Sequence, residues 1–388
     1  MTRVYQNPAQ VAGLRAIIAG AGAYPNAKGP AARVALKDLT SVPPSVLTLA
    51  GKLLTDWRGS LSKPLVSIDL MLSDPAKPAV WPGFGAPGEI AAGAAIDPPT
   101  RANIDAAITG ALAGSTKDDG LLLLFCGHGV AKDDRYFLPS DFGSGGNPWS
   151  LAINLNEFRL ALQQEAPRVQ WLFWDCCANI PEDILRVLGT IGSSPISRDA
   201  GLLSEARAHG PLHQFRLSSA AEGEEAFGIP DAPSRFMEML VEALDGAGCN
   251  RRVGADWPVS HAGIQEAIQS YADRKQDLDK PAFYRFVSSA STDTQGRMLF
   301  RKLPAAPKAT LVARSNPRPD LKKARLEVSR NGANVHDLAP PQRAAVVYLS
   351  LDPDQTYEVT ATFEDGVSLS ESVHAYLPMP DPLEFVRT

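Results

Sequence analysis

Two stretches decide how this chain is read: GLLLLFCGHG at residues 120–129 and VQWLFWDCC at residues 169–177. Each opens on an apolar run of strand length and ends on residues able to do chemistry. Residues 120–126 carry no charge and no proline, and at this length such a run predicts a strand buried on both faces, as in a parallel sheet. Residues 169–175 predict a second one. In open α/β sheets, functional groups collect outside the carboxyl ends of the strands. Two parallel neighbours would therefore carry His128 and Cys177 to the same edge. The two residues lie 49 apart, room for one strand–helix–strand crossover with a hairpin.

Outward from these runs the pattern alternates. Strands are predicted at 14–22, 65–72 and 214–219, and helices at 44–57, 103–113, 155–164, 236–244 and 264–272. Alternation of this kind implies an α/β/α sandwich with a mostly parallel sheet. From about residue 309 the helical spacing stops. Alternating segments recur at 309–313, 324–329, 344–351, 356–363 and 369–376. Turn signals separate them at Asn331-Gly332, Asp352-Pro353-Asp354 and Asp365-Gly366. The expected layout is an α/β domain over 1–300, a Pro- and Ala-rich linker over 301–308, and a small Ig-like β-sandwich over 309–388. Residues 180–212 form a long connection with Gly and Ser at its middle, predicted to be exposed.

Composition removes several function classes. The chain has 388 residues, with 38 Lys and Arg against 43 Asp and Glu, for a formal charge of −5. That balance argues against nucleic acid as the main partner. No apolar run approaches the roughly 20 residues of a membrane helix, and the N-terminus lacks the apolar core of a secretory signal. Four cysteines, at 126, 176, 177 and 249, do not make a disulfide framework. A reducing, cytoplasmic setting is expected, with thiols left free.

Residue types at the two strand ends suit nucleophilic catalysis. A cysteine attacks as its thiolate, and a neighbouring imidazole takes up the proton. Glycines around His128 let a substrate backbone approach. The amides of Gly129 and Cys177 would then form an oxyanion hole. Other readings of the same residues stand beside this one. A histidine after a strand often has a structural task, and Asp175 would serve as a strand-end anchor. Cys126 and Cys176 read as core thiols, and Cys249 as a loop residue. Zinc held by Cys126, His128, Cys176 and Cys177 is disfavoured, because adjacent cysteines point apart and no Cys-x-x-Cys spacing occurs.

The order of these motifs, strand-Gly-His-Gly and then strand-Asp-x-Cys, resembles the caspase-fold cysteine peptidases: caspases, metacaspases, paracaspases and their bacterial relatives. Further stretches are similar to that group. ALKDLTSVPPSVLTLAGKLL at 35–54 resembles the first strand–helix connection, and RYFLPSD at 135–141 the hairpin after Gly-His-Gly. SSAAEGEEAFGI at 218–229 resembles a paracaspase segment. The resemblance covers about residues 10–290. It implies that Cys177 is the nucleophile and His128 the catalytic histidine. It also implies that Asp175 and Glu225 are acids of the specificity pocket, which would favour cleavage after Arg, then Lys.

The resemblance further implies a protein or peptide substrate and an activating protein or protease. Activation by cutting within 180–212 makes Arg186, Arg198 and Arg207 candidate processing sites. A bacterial stress or defence role follows as an expectation of the same kind. The chain departs from the family in two places. Residues 40–55 hold no acid, the nearest ahead of them being Asp38. Ala178-Asn179-Ile180 stands where relatives carry Ser-Gly. No Asp-rich calcium loop is present, so no metal cofactor is favoured, calcium included. The alternative function is a pseudo-peptidase or scaffold that only binds partner proteins.

Overall fold

A computed structural model describes residues 1–10, 12–28, 35–131, 134–145, 147–177, 191–196, 210–220, 228–249, 253–254, 256–276, 287–291, 298–342, 346–377 and 382–387. The chain divides into two compact units, Met1–Val241 with Tyr284–Met298, and Glu242–Phe283 with Leu299–Thr388.

In chain order the elements are β1 (Thr2–Gln6), β2 (Leu14–Ala21), α1 (Val42–Leu54), β3 (Leu65–Ser73), α2 (Arg101–Ala113), β4 (Gly120–Gly127), β5 (Gly129–Ala131), β6 (Arg135–Phe137) and β7 (Ile153–Asn154). There follow α3 (Leu155–Leu162), β8 (Val169–Cys176), β9 (His213–Ser218), α4 (Arg235–Glu242), β10 (Trp257–Ser260), α5 (His261–Gln276), β11 (Val287–Ser291) and β12 (Leu299–Leu303). The remainder is strand apart from a short 3-10 helix at Arg318–Lys323: β13 (Ala309–Asn316), β14 (Arg325–Arg330), β15 (Ala333–Leu338), β16 (Val346–Leu351), β17 (Gln355–Thr362), β18 (Ser368–Ala375) and β19 (Leu383–Val386).

The first unit is built on a seven-stranded sheet ordered β1-β3-β2-β4-β8-β9-β11. Strands β3, β2, β4, β8 and β9 run parallel, and β1 and β11 are antiparallel edges. This is the mixed α/β architecture with a largely parallel central sheet that the apolar runs imply. All eight residues of β4 are buried. Leu121, Leu123 and Phe125 join one core with Ile104, Ala107 and Ile108 of α2 and Phe158 and Leu162 of α3. Side chains alternate along a strand, so Leu122, Leu124 and Cys126 turn to the other face, where α1 packs on β2, β3 and β4.

Helix boundaries follow local chemistry. Thr100 caps α2 by accepting the Asn103 N–H at 3.2 Å, which starts that helix two residues before its predicted position. The prolines at 43 and 44 occupy the first turn of α1, where a missing N–H costs no helical bond. Edge strand β1 escapes a periodicity reading because TRVYQ is short and polar at both ends.

In the second unit, β10 pairs with β12, so residues 301–303, read from the sequence as the start of the 301–308 linker, are strand. A three-stranded sheet, β16-β13-β19, and a four-stranded sheet, β15-β14-β17-β18, share one core that includes Leu311, Leu326, Leu349, Tyr357 and Phe385. Among the described residues no helix is long and apolar enough to cross a membrane.

Leu123 is fully buried between α2, α3 and the sheet. Leu123→Ala is expected to lower stability by about 2–5 kcal/mol. Tyr348→Ala, at a side chain 45% exposed, is expected to stay within about 0.5 kcal/mol. Guanidinium unfolding of the two variants checks the difference.

Candidate active site

Strands β4 and β8 pair in parallel with Cys126 opposite Asp175 and Gly127 opposite Cys176. The next residues along the two strands are His128 and Cys177, so both chains leave the sheet at the same edge. The contact continues past the last rung. A Cβ added to Gly129 would lie 2.5 Å from the Cys177 carbonyl oxygen and 2.9 Å from Cys176 Cβ. Only glycine permits the segment after His128 to lie this close to the segment carrying Cys177.

His128 is held from three sides. Its N–H donates to Tyr24 Oη at 2.8 Å, and Tyr24 Oη donates to the Leu138 carbonyl at 3.2 Å. The Leu138 N–H donates back to the His128 carbonyl at 2.9 Å. The Tyr24 and His128 ring centroids are 5.0 Å apart. The ring nitrogen Nε2 lies 2.7 Å from the Lys37 carbonyl oxygen. A carbonyl can only accept, so Nε2 carries the hydrogen and the neutral ring keeps its lone pair on Nδ1. Burial lowers the His128 pKa, partly opposed by the Lys37 carbonyl and the Asp38 carboxylate. A neutral imidazole with one free acceptor nitrogen is a competent base.

The four cysteines differ in access. Cys126, Cys176 and Cys249 are buried, whereas Cys177 is partly exposed. Burial pushes the Cys176 thiol up to about 12, against the pull of Arg135. Burial raises Cys126 as well, reinforced by Asp175. Neither buried thiol can supply thiolate near neutrality. Cys126 and Cys176 also face opposite sides of the sheet, and among the described residues no three His, Cys, Asp or Glu side chains are grouped to hold a metal.

Asp175 lies two residues before Cys177 and is 5% exposed. Its Oδ2 accepts from Ser234 Oγ at 2.5 Å and from Cys126 Sγ at 3.4 Å. Burial raises its pKa, and the hydrogen bonds from Ser234, Cys126 and Ser219 oppose the rise. Glu225, Arg186, Arg198 and Arg207 lie outside the described residues, as do Ala178, Asn179 and Ile180.

Three residues whose role the sequence did not reveal stand at the site. Tyr24 carries the hydrogen bonds behind His128. Asp38 accepts from the Tyr24 N–H at 3.3 Å and from Lys28 Nζ at 2.5 Å, and its charge acts on His128. Ser234, at the start of α4, holds Asp175. Asp38 was visible as the last acid ahead of the first helix, but helix-start logic placed it outside the motif. Tyr24 and Ser234 have no local pattern to announce them.

No family model matches the chain, and no curated protein matches its sequence. Among solved structures, caspase-1 from Spodoptera frugiperda is similar over 75% of this chain and 91% of its own, with 13% identity and a TM-score of 0.40. A structural-genomics target from Geobacter sulfurreducens is similar over 73% of this chain and 95% of its own, with 12% identity and a TM-score of 0.42.

The His128 ring is expected to titrate below the ordinary histidine value of about 6.5. Asp38→Asn is expected to lower it further, because the lost carboxylate stabilises the imidazolium. An NMR titration of the ring Cε1–H measures both, and a midpoint at or above 6.5 in the unaltered chain would contradict the buried neutral ring.

Proposed function

We propose that the chain is a caspase-type cysteine endopeptidase. The observation that carries this reading is the β4–β8 register, which brings Gly127 beside Cys176 and leaves His128 and Cys177 as the next residues on neighbouring strands. The Nε2–H bond to Lys37 supports it, since it leaves Nδ1 available to a thiol proton.

In this mechanism Nδ1 of His128 takes the proton from Cys177 Sγ. The thiolate attacks the scissile carbonyl carbon and the C=O pair moves onto oxygen. The Gly129 and Cys177 N–H groups stabilise that oxyanion. The imidazolium then gives its proton to the leaving amine as the C–N bond breaks, which leaves a thioester. Water, deprotonated by His128, hydrolyses the thioester and returns the free thiol.

Specificity is assigned to a basic residue before the cut, Arg over Lys. Asp175 and Glu225 supply negative charge, and Asp38 beside the Lys37 carbonyl adds to it. Cutting at Arg186, Arg198 or Arg207 would accompany activation, triggered by a partner protein or an upstream protease. A regulated role in bacterial stress or defence suits such an enzyme. No metal cofactor is assigned.

Fluorogenic peptides ending in Arg, Lys or Asp, tested with and without calcium, check the reading. Turnover on Arg peptides, lost at least a thousandfold in Cys177→Ala, is the expected result. Cleavage after Asp would remove the acidic-pocket assignment while keeping the enzyme. No cleavage, with no labelling of Cys177 by an arginine-directed thiol probe after limited proteolysis, would leave a binding scaffold.

A further inference from the structure

Beneath the proposed dyad lies a polar cluster that the chemistry above does not use. It is assembled from four elements: Ser45 of α1, Cys126 of β4, Asp175 of β8 and Ser234 at the start of α4. Cys126 stands two residues before His128 and Asp175 two before Cys177, so the cluster sits one pleat below both. Ser45 Oγ donates to the Ser41 carbonyl at 2.7 Å and accepts the Ser234 N–H at 2.9 Å. Ser234 Oγ donates to Asp175 Oδ2 at 2.5 Å and accepts the Met237 N–H at 3.1 Å. The Ser234 side chain therefore caps α4 and restrains the carboxylate with the same oxygen. Ser45, Cys126, Asp175 and Ser234 are all buried, none more than 5% exposed.

A buried carboxylate is costly unless it is hydrogen-bonded, and loses its charge readily when it is not. The groups facing Asp175 explain why Ser234 matters. Cys126 of β4 is the titratable group on the same face, and Cys176, next along its own strand, lies on the opposite face of the sheet. Ser45 of α1, Ser219 after β9 and Ser234 before α4 are uncharged. No described cation pairs with this carboxylate. Its charge therefore depends on neutral donors: Ser234 Oγ is a hydroxyl donor at 2.5 Å, whereas the Cys126 thiol at 3.4 Å is a weak donor. Ser234 and Cys126 both donate to Oδ2, and Ser219 adds a further hydroxyl to the carboxylate.

We propose that Ser234 is a positioning residue that keeps Asp175 ionised and oriented beneath Cys177, and so sets the pH above which a cationic side chain is accepted. The inference rests on the peptidase reading for its substrate but not for the ionisation itself. Removing the Ser234 donor destabilises the charged form, so the Asp175 midpoint must rise. One unit of rise is a tenfold loss of the ionised form well below the midpoint.

The ionisation is measured in the full chain by carbon-13 NMR of labelled aspartate carboxyls, with Asp175→Asn used for assignment. Ser234→Ala is expected to raise the Asp175 midpoint by about one unit, and Ser234→Thr, which keeps hydroxyl and cap, to restore it. Thermal unfolding of both variants separates loss of fold from loss of the donor. An unchanged midpoint in folded Ser234→Ala would overturn the proposal whether or not the chain cleaves anything. In the active enzyme, the acid limb of kcat/KM for arginine peptides is expected to move with that midpoint. The value for an uncharged citrulline peptide is expected to stay put. Equal losses on both peptides at every pH would assign Ser234 a merely structural role. Absence of all cleavage by the unaltered chain would count against the peptidase reading alone, and the NMR midpoint would still decide Ser234.

Discussion

The pairing of β4 with β8 is the constraint on which the site depends. A one-residue slip in a strand sends every side chain to the opposite face. Here a slip would carry Leu123, Phe125, Leu172 and Trp174 out of the core they share with α2 and α3. The apolar cost fixes the register, and the register fixes which residues emerge at the edge. The glycine at 129 completes the constraint, because the backbone after His128 approaches the Cys177 carbonyl more closely than a side chain would allow. Chemistry at the edge is thus placed by packing in the interior.

The two faces of the sheet then divide the polar groups. Towards α2 and α3, Cys176 is sealed in the core and its thiol is pushed to about 12. Towards α1, the same alternation places Cys126 and Asp175 together, and Ser45 and Ser234 close around them. Adjacent cysteines therefore have opposite fates: Cys176 is inert packing, and Cys177 lies just past the last paired residue with solvent in reach. His128 gains a defined tautomer from Lys37, a residue on the connection between β2 and α1. The segment after β4 is tied back to the fold by the Leu138 N–H bond to the His128 carbonyl.

Much of the sheet was legible because its central strands are apolar throughout and long enough to read. Strands 120–127 and 169–176 need no partner information to be recognised. Legibility fell at the edges. TRVYQ of β1 and VSSAS of β11 carry no burial signal, since an edge strand is defined by its neighbour. At the site, His128 and Cys177 were readable because strand ends in parallel sheets point to one edge. Tyr24, Asp38 and Ser234 were not, since each acts through a contact spanning from 14 to 104 residues of sequence. Such pairings are set by tertiary packing, and no local spacing encodes them.

The central claim is that His128 acts on the Cys177 thiol. The most direct test is the pH dependence of Cys177 alkylation by iodoacetamide, read by mass spectrometry in the unaltered chain and in His128→Ala. The account predicts that Cys177 alone among the four cysteines reacts rapidly, with a reactive form present well below the ordinary thiol pKa of about 8.5. It also predicts that this low-pH reactivity disappears in His128→Ala. Reaction that rises only around 8.5 and is unchanged by the substitution would contradict the pairing.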